Sequence, residues 1–305
     1  MTRRRFVWCA PALCAVALSL PGCGGSSEPG ATAAGTARSW MADDAKSKDL
    51  LYISDLGTNA VDVYSYPKGA EVGKLTGFGS VAGLCTDKAG DVFVVDEAGP
   101  VAVYSHGGSS PMRKLQTSGA PDGCSVDPTT GNLAVTNESS YLYGTIAIYA
   151  HAKGKAKPLY NDMVDATFYC GYDPSGDLFI DGWDRSAKPI FLELPHHGKT
   201  IKVMTLSKPI ETPGGVQWDG KYVAVGDKGA GVVYRASPSG KVEETIKLKD
   251  GTNVLQFWIQ GSTIVGPNAA ADGTVPFWHY PGGGTPYQTL TGFTYPIGAT
   301  LSTAK

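Results

Sequence analysis

Charge is what this chain has least of. Only 18% of its 305 residues are charged, the formal net charge is −2, and histidine occurs five times. Its lysines and arginines form no basic stripe, which argues against a protein that grips nucleic acid through the phosphate backbone. Beyond the N-terminus there is no apolar run of the roughly 18 residues that a spanning helix needs. No Ser–His–Asp constellation can be assembled from the spacing of its serines, histidines and acids. Cysteine is also sparse, at six residues. What the chain has in quantity is Gly (40), Pro (20) and Tyr (15). That composition suits many short strands joined by tight turns, and 42% hydrophobic residues suffice for a sizeable core.

The N-terminus is set apart from the fold. Arg3-Arg4-Arg5 is followed by the apolar stretch Phe6–Leu20 and then by Leu20-Pro21-Gly22-Cys23. This resembles the signal peptide and lipobox of bacterial lipoproteins. The resemblance implies cleavage before Cys23 and diacylation of its thiol, and two acyl chains make a stable membrane anchor. Residues 1–22 are then the signal and 23–48 a lipidated, Gly/Ser/Ala/Thr-rich flexible tether. At about 5–6 Å × √n, such a tether spans on the order of 25–30 Å. Thr2-Arg3-Arg4-Arg5-Phe6-Val7 also resembles a twin-arginine export motif, so the general secretory and twin-arginine routes both stay open. Gly24 is not the Asp that marks inner-membrane retention in Gram-negative lipoproteins. The expected location is the cell envelope, in the periplasm or on the outer surface.

From Asp49 to the C-terminus one unit repeats. Val81–Tyr104 shows it whole: a strand ending before Asp87, a turn through Lys88-Ala89-Gly90, the strand Asp91–Val95, a turn at Asp96–Gly99, and Val101–Tyr104. The same Asp-turn-strand pattern returns at Asp127, Asp173 and Asp219, and without its Asp at Gln260-Gly261-Ser262. Third strands recur at roughly 40–46 residues, the length of a four-stranded propeller blade. The first ordered strand, Leu50–Asp55, matches a second strand, and Pro296–Ser302 matches a first strand with nothing after it. The C-terminal segment is therefore expected to supply the inner strand of the first blade and close the ring. The fold class is all-β: six antiparallel four-stranded blades over residues 49–305. The repeat resembles those of NHL-type six-bladed β-propellers, a fold that hosts unrelated functions.

Two acidic rings follow from the repeat. Asp87, Asp127, Asp173 and Asp219 sit where a side chain accepts backbone N–H groups across a turn. The second ring follows the second strands and is expected to surround the mouth of the central channel. Its binding candidates are Asp96, Glu97, Asn137, Asp181, Asp184 and Asp227, with Asp122 brought close by an inter-blade turn. Trp183, beside Asp181 and Asp184, is the aromatic best placed to stack on a sugar or peptide. The expected function is a binding or scaffolding module with a protein or carbohydrate ligand. No cofactor is implied, although convergent carboxylates and amides also suit a divalent cation. The alternative is a metal-dependent lactonase or hydrolase. The six-bladed gluconolactonase propellers hold a metal over the channel with Glu, Asn and Asp, parts that Glu97, Asn137 and Asp227 match by residue type.

Cys9 and Cys14 leave with the signal. Of those remaining, Cys124 and Cys170 each stand three residues before their turn Asp, on neighbouring inner strands, whereas Cys85 is one residue out of register. The expectation is either a disulfide between Cys124 and Cys170 or three small buried thiols.

Overall fold

The computed structural model describes residues 38–138, 144–269 and 273–305. The signal segment, Cys23 and the tether as far as residue 37 lie outside the described residues.

The described chain forms six antiparallel sheets arranged as the blades of a β-propeller. The inner strands of blades 2 to 6 are Val81–Thr86, Pro121–Val126, Val164–Tyr172, Pro213–Trp218 and Trp258–Gln260. Blade 1 takes its inner strand from the far end of the sequence. Pro296–Ser302 pairs with Leu50–Asp55 from Leu50↔Ser302 to Asp55↔Pro296, and all seven of its residues are buried. The ring is thus closed by the C-terminal strand, as the unpaired half-repeats at either end required.

Most second strands do not alternate between apolar and polar residues, because blades pack on both of their faces. Every residue of Val92–Asp96 and of Val223–Asp227 is buried. Outer strands such as Lys202–Met204 and Val242–Lys247 are largely open to solvent. The core accordingly divides into six apolar layers, one between each pair of neighbouring blades.

Residues 40–47, expected in the tether, include ordered elements: the strand Trp40–Met41 and the short 3-10 turn Ala45–Ser47. Trp40–Met41 adds a fifth, outermost strand to blade 1, paired to Lys74 and Gly73. Ala45 is buried in the layer between blades 1 and 2. Gly73 permits this docking, since a Cβ there would strike the Met41 sulfur. A two-residue strand and one buried alanine carry no periodicity that a sequence could show.

The turn aspartates build the blades. Asp87 Oδ1 accepts the N–H groups of Ala89 (2.8 Å) and Asp91 (2.9 Å), and Asp173 Oδ1 accepts those of Ser175 and Asp177 at the same two distances. Asp219 does likewise for Lys221 and Tyr222.

The disulfide joins Cys85 to Cys124, with Cα atoms 5.7 Å apart, and Cys170 is a buried free thiol. The expected Cys124–Cys170 pair is therefore corrected, and strand parity explains why. Cys124 and Cys170 do occupy equivalent positions, pairing with Val135 and Ile180 of their second strands. Equivalent positions face the same way around the ring: Cys124 packs in the layer between blades 2 and 3, and Cys170 in the layer between blades 3 and 4. Each faces the blade before it, so the two never meet. Cys85, one residue out of register, points to the opposite side of its strand and meets Cys124.

This forward-pointing position ties other blades too. Ser125 Oγ of blade 3 accepts the Tyr172 N–H of blade 4 at 3.1 Å. The Gln217 amide of blade 5 both donates to the Ile259 carbonyl (3.0 Å) and accepts its N–H (2.7 Å) in blade 6.

Candidate functional site

The central channel has two different mouths. At the end carrying the turns between first and second strands, it widens into a chamber of about 870 Å³. The last residues of the inner strands ring this mouth, among them Thr86, Tyr172, Trp218 and Gln260. Trp258 lines the chamber as well. The lining reaches inward to the level of Leu84, Cys124, Cys170 and Val216. There the buried Gln256 amide crosses from blade 6 to blade 2, accepting the Leu84 N–H (2.8 Å) and donating to its carbonyl (2.6 Å). That pair satisfies inner-edge backbone groups that a wider channel would leave bare.

None of the eight binding candidates lines this chamber. They belong to the opposite end, where most of their polar atoms are taken by the backbone. Asp96 accepts the N–H groups of Gly79 (2.9 Å), Ser80 (2.8 Å) and Ala98 (3.1 Å). Asp227 accepts those of Glu211 (2.8 Å), Thr212 (3.1 Å) and Ala230 (3.3 Å). Asn137 accepts from Ala120 and donates to the Ser118 carbonyl. Asp55 repeats the pattern toward Thr294 and Tyr295. In each case the second-strand end holds the loop that leads into the inner strand of the same blade. Asp184 is occupied by its own turn, accepting from Ser186 and Lys188. Trp183 lies on the strand Leu178–Asp184 and packs edge-on against Phe168, with ring centroids 6.4 Å apart.

Three candidates do come together electrostatically. Asp122 is 92% buried, and its carboxylate has no hydrogen-bond partner among the described residues. Burial pushes its pKa well above the ordinary carboxylate value, the charges of Glu138, Glu97 and Asp181 add to this, and Lys228 opposes it. Asp181 is fully buried, and burial likewise drives its pKa well up. Its Oδ1 accepts the Tyr169 N–H at 2.8 Å, while Oδ2 has no partner among the described residues. Glu97, half-buried, is raised by burial, although it accepts a hydrogen bond from Ser80 Oγ at 3.1 Å. Sequence reasoning missed Lys228 as the counter-charge, because nothing local marks it.

A pH dependence follows from the two buried acids. Their folded-state pKa values lie above the unfolded value near 3.9. Their stabilising contribution is therefore complete below that value and is lost as pH rises through the folded pKa. The melting temperature should fall as pH is raised from the ordinary carboxylate range towards pH 8, and Asp122→Asn should flatten that fall and melt higher than the wild type at pH 8. Thermal melts across this range check it. A variant that melts lower at pH 8 would show that the Asp122 carboxylate stabilises the fold.

The gluconolactonase-type metal set does not fit. Asn137 and Asp227 are committed to backbone groups, and Glu97 to Ser80. Among the described residues no group of three or more His, Cys, Asp or Glu side chains is placed to hold a metal ion.

The chamber residues that sequence reasoning passed over had a signal: Thr86, Tyr172 and Trp218 immediately precede the turn aspartates Asp87, Asp173 and Asp219. Their register places them at one rim, but the aromatic character of Tyr172 and Trp218 reads as packing between blades.

No family model matches the chain, and no curated protein does. Solved structures do. A chain from the crystal structure of a nidogen/laminin complex aligns over 84% of this chain and 99% of its own length, with TM-score 0.70 and 15% identity. A protein of unknown function from Bacteroides caccae aligns over the same shares with TM-score 0.62 and 13% identity. At these identities the likeness is one of fold, the β-propeller.

Proposed function

We propose that the protein is an exported, lipid-anchored binding module of the cell envelope, held by Cys23 and taking its ligand at the wide mouth of the channel. The observation that carries the binding reading is the chamber of about 870 Å³, which falls in the size range of small-molecule sites. Its walls mix aromatic rings with polar groups, on a scaffold fixed by six packed layers. The Cys85–Cys124 disulfide supports the export reading, because such bonds persist in oxidising compartments. The nidogen/laminin neighbour was crystallised in a complex of two proteins, and its low identity carries no partner over to this chain.

The two halves of this reading are tested separately. Cys23→Ala should move the protein out of the membrane fraction, and a variant that stays there would remove the lipid anchor. For the site, the purified full chain is titrated with a library of peptides and oligosaccharides, read by tryptophan fluorescence. Binding should disappear in Trp218→Ala and survive in Glu97→Gln. The reverse pattern would transfer the site to the acidic mouth.

A further inference from the structure

We infer that the chamber is built for a neutral, polyhydroxylated ligand, a saccharide in chemical class. This rests on the chamber being the binding site. Trp218 and Trp258 supply two indole faces within one cavity, and such faces cover the apolar C–H side of a sugar ring at little entropic cost. Tyr172, whose hydroxyl has no hydrogen-bond partner among the described residues, lines both the chamber and a smaller pocket of about 170 Å³ beside it.

The rim charges choose between ligand classes. Asp87 and Asp173 each spend Oδ1 on their own turns. Asp87 is partly exposed and keeps its other oxygen at the rim, where a carboxylate is a strong acceptor for hydroxyl groups, whereas Asp173 is buried. The nearby lysine, Lys88, donates to the Pro128 carbonyl at 2.7 Å. The rim therefore offers acceptors for O–H groups and repels an acidic ligand. The two pockets share Asp127, Thr130 and Tyr172 in their walls, so a second sugar unit has an exit between blades 3 and 4.

The test uses the full chain in detergent and an array of neutral oligosaccharides, their uronic-acid counterparts and a random peptide library. At least one neutral oligosaccharide should bind with a Kd of about 1 mM or tighter. Trp218→Ala should weaken it about tenfold. Trp258→Ala removes the second indole and should weaken it several-fold, with an unchanged melt showing the fold intact. Asp122→Asn, at the far mouth, should leave affinity unchanged. Preference for the acidic counterparts, or sugar binding indifferent to both tryptophan variants, overturns the inference. If only peptides bind, with loss in Trp218→Ala, the chamber stands as the site and the saccharide class falls. If no ligand responds to Trp218→Ala, both readings fall.

Discussion

A chain cut after Tyr295 should not fold. The lost strand, Pro296–Ser302, is wholly buried, and its ladder to Leu50–Asp55 runs the length of both strands. Removing it takes the buried apolar side chains of Ile297, Ala299 and Leu301 out of the core and bares what they pack against. At about 1.5–3 kcal/mol for each large side chain and about 1 kcal/mol for each ladder bond, the loss approaches the 5–15 kcal/mol that holds a typical domain together. It also bares the inner edge of Leu50–Asp55, a row of unpaired backbone groups that favours aggregation. Gel filtration and far-ultraviolet circular dichroism are the measurements. A synthetic peptide spanning 296–305, added in trans, should recover some folded monomer. A truncated monomer that melts cooperatively within a few degrees of the intact protein would refute the closure argument.

Replacing both Cys85 and Cys124 by alanine should cost about 4 kcal/mol of stability. The figure is the loop-closure entropy of cross-linking two residues 39 apart in sequence. It corresponds to a fall in melting temperature of about 10 °C for a domain of this size. Reductant should lower the wild-type melt by a similar amount and leave the double variant unmoved. Cys170→Ala should respond to reductant as the wild type does, because burial pushes the Cys170 thiol pKa up and keeps it unreactive. A double variant within about 1 kcal/mol of wild type would mean that the unfolded chain gains little freedom when this bond is absent.

The parts of this fold that were legible in the sequence are those with local causes. An Asp two residues before the N–H it accepts writes its turn directly into the chain, so Asp87, Asp173 and Asp219 could be read in place. The closing strand was legible for a different reason: two half-repeats at opposite ends can bury their edges only against each other. Asp96, Asn137, Asp181 and Asp227 recur after the repeat's second strands, but the sequence does not show what occupies them. The donors that occupy Asp96 and Asp227 lie mostly 15–17 residues earlier, and two of the three that occupy Asp55 lie 239 and 240 residues later. Only the folded ring shows that these carboxylates are filled from behind. The disulfide fails to read for the same reason: shared register is visible in sequence, but the direction in which that register faces is not. The chamber is subtler, since Trp218 packs between blades 4 and 5 and lines the cavity with the same ring.

The mixed origin of blade 1 also sets an order in time. Asp49 accepts a hydrogen bond from the N–H of Ala304, 255 residues later. A ribosome or translocon delivers Leu50 long before its partner Ser302, so the blade that begins first finishes last. Contacts of such separation slow folding, because the whole intervening loop must be closed before they form. Cys85 and Cys124, by contrast, lie only 39 residues apart, so their two blades can pack while the remaining blades are still arriving. Blades 2 and 3 are thus free to lock as a pair early, whereas the ring as a whole stays open, and unfinished, until the last strand is released.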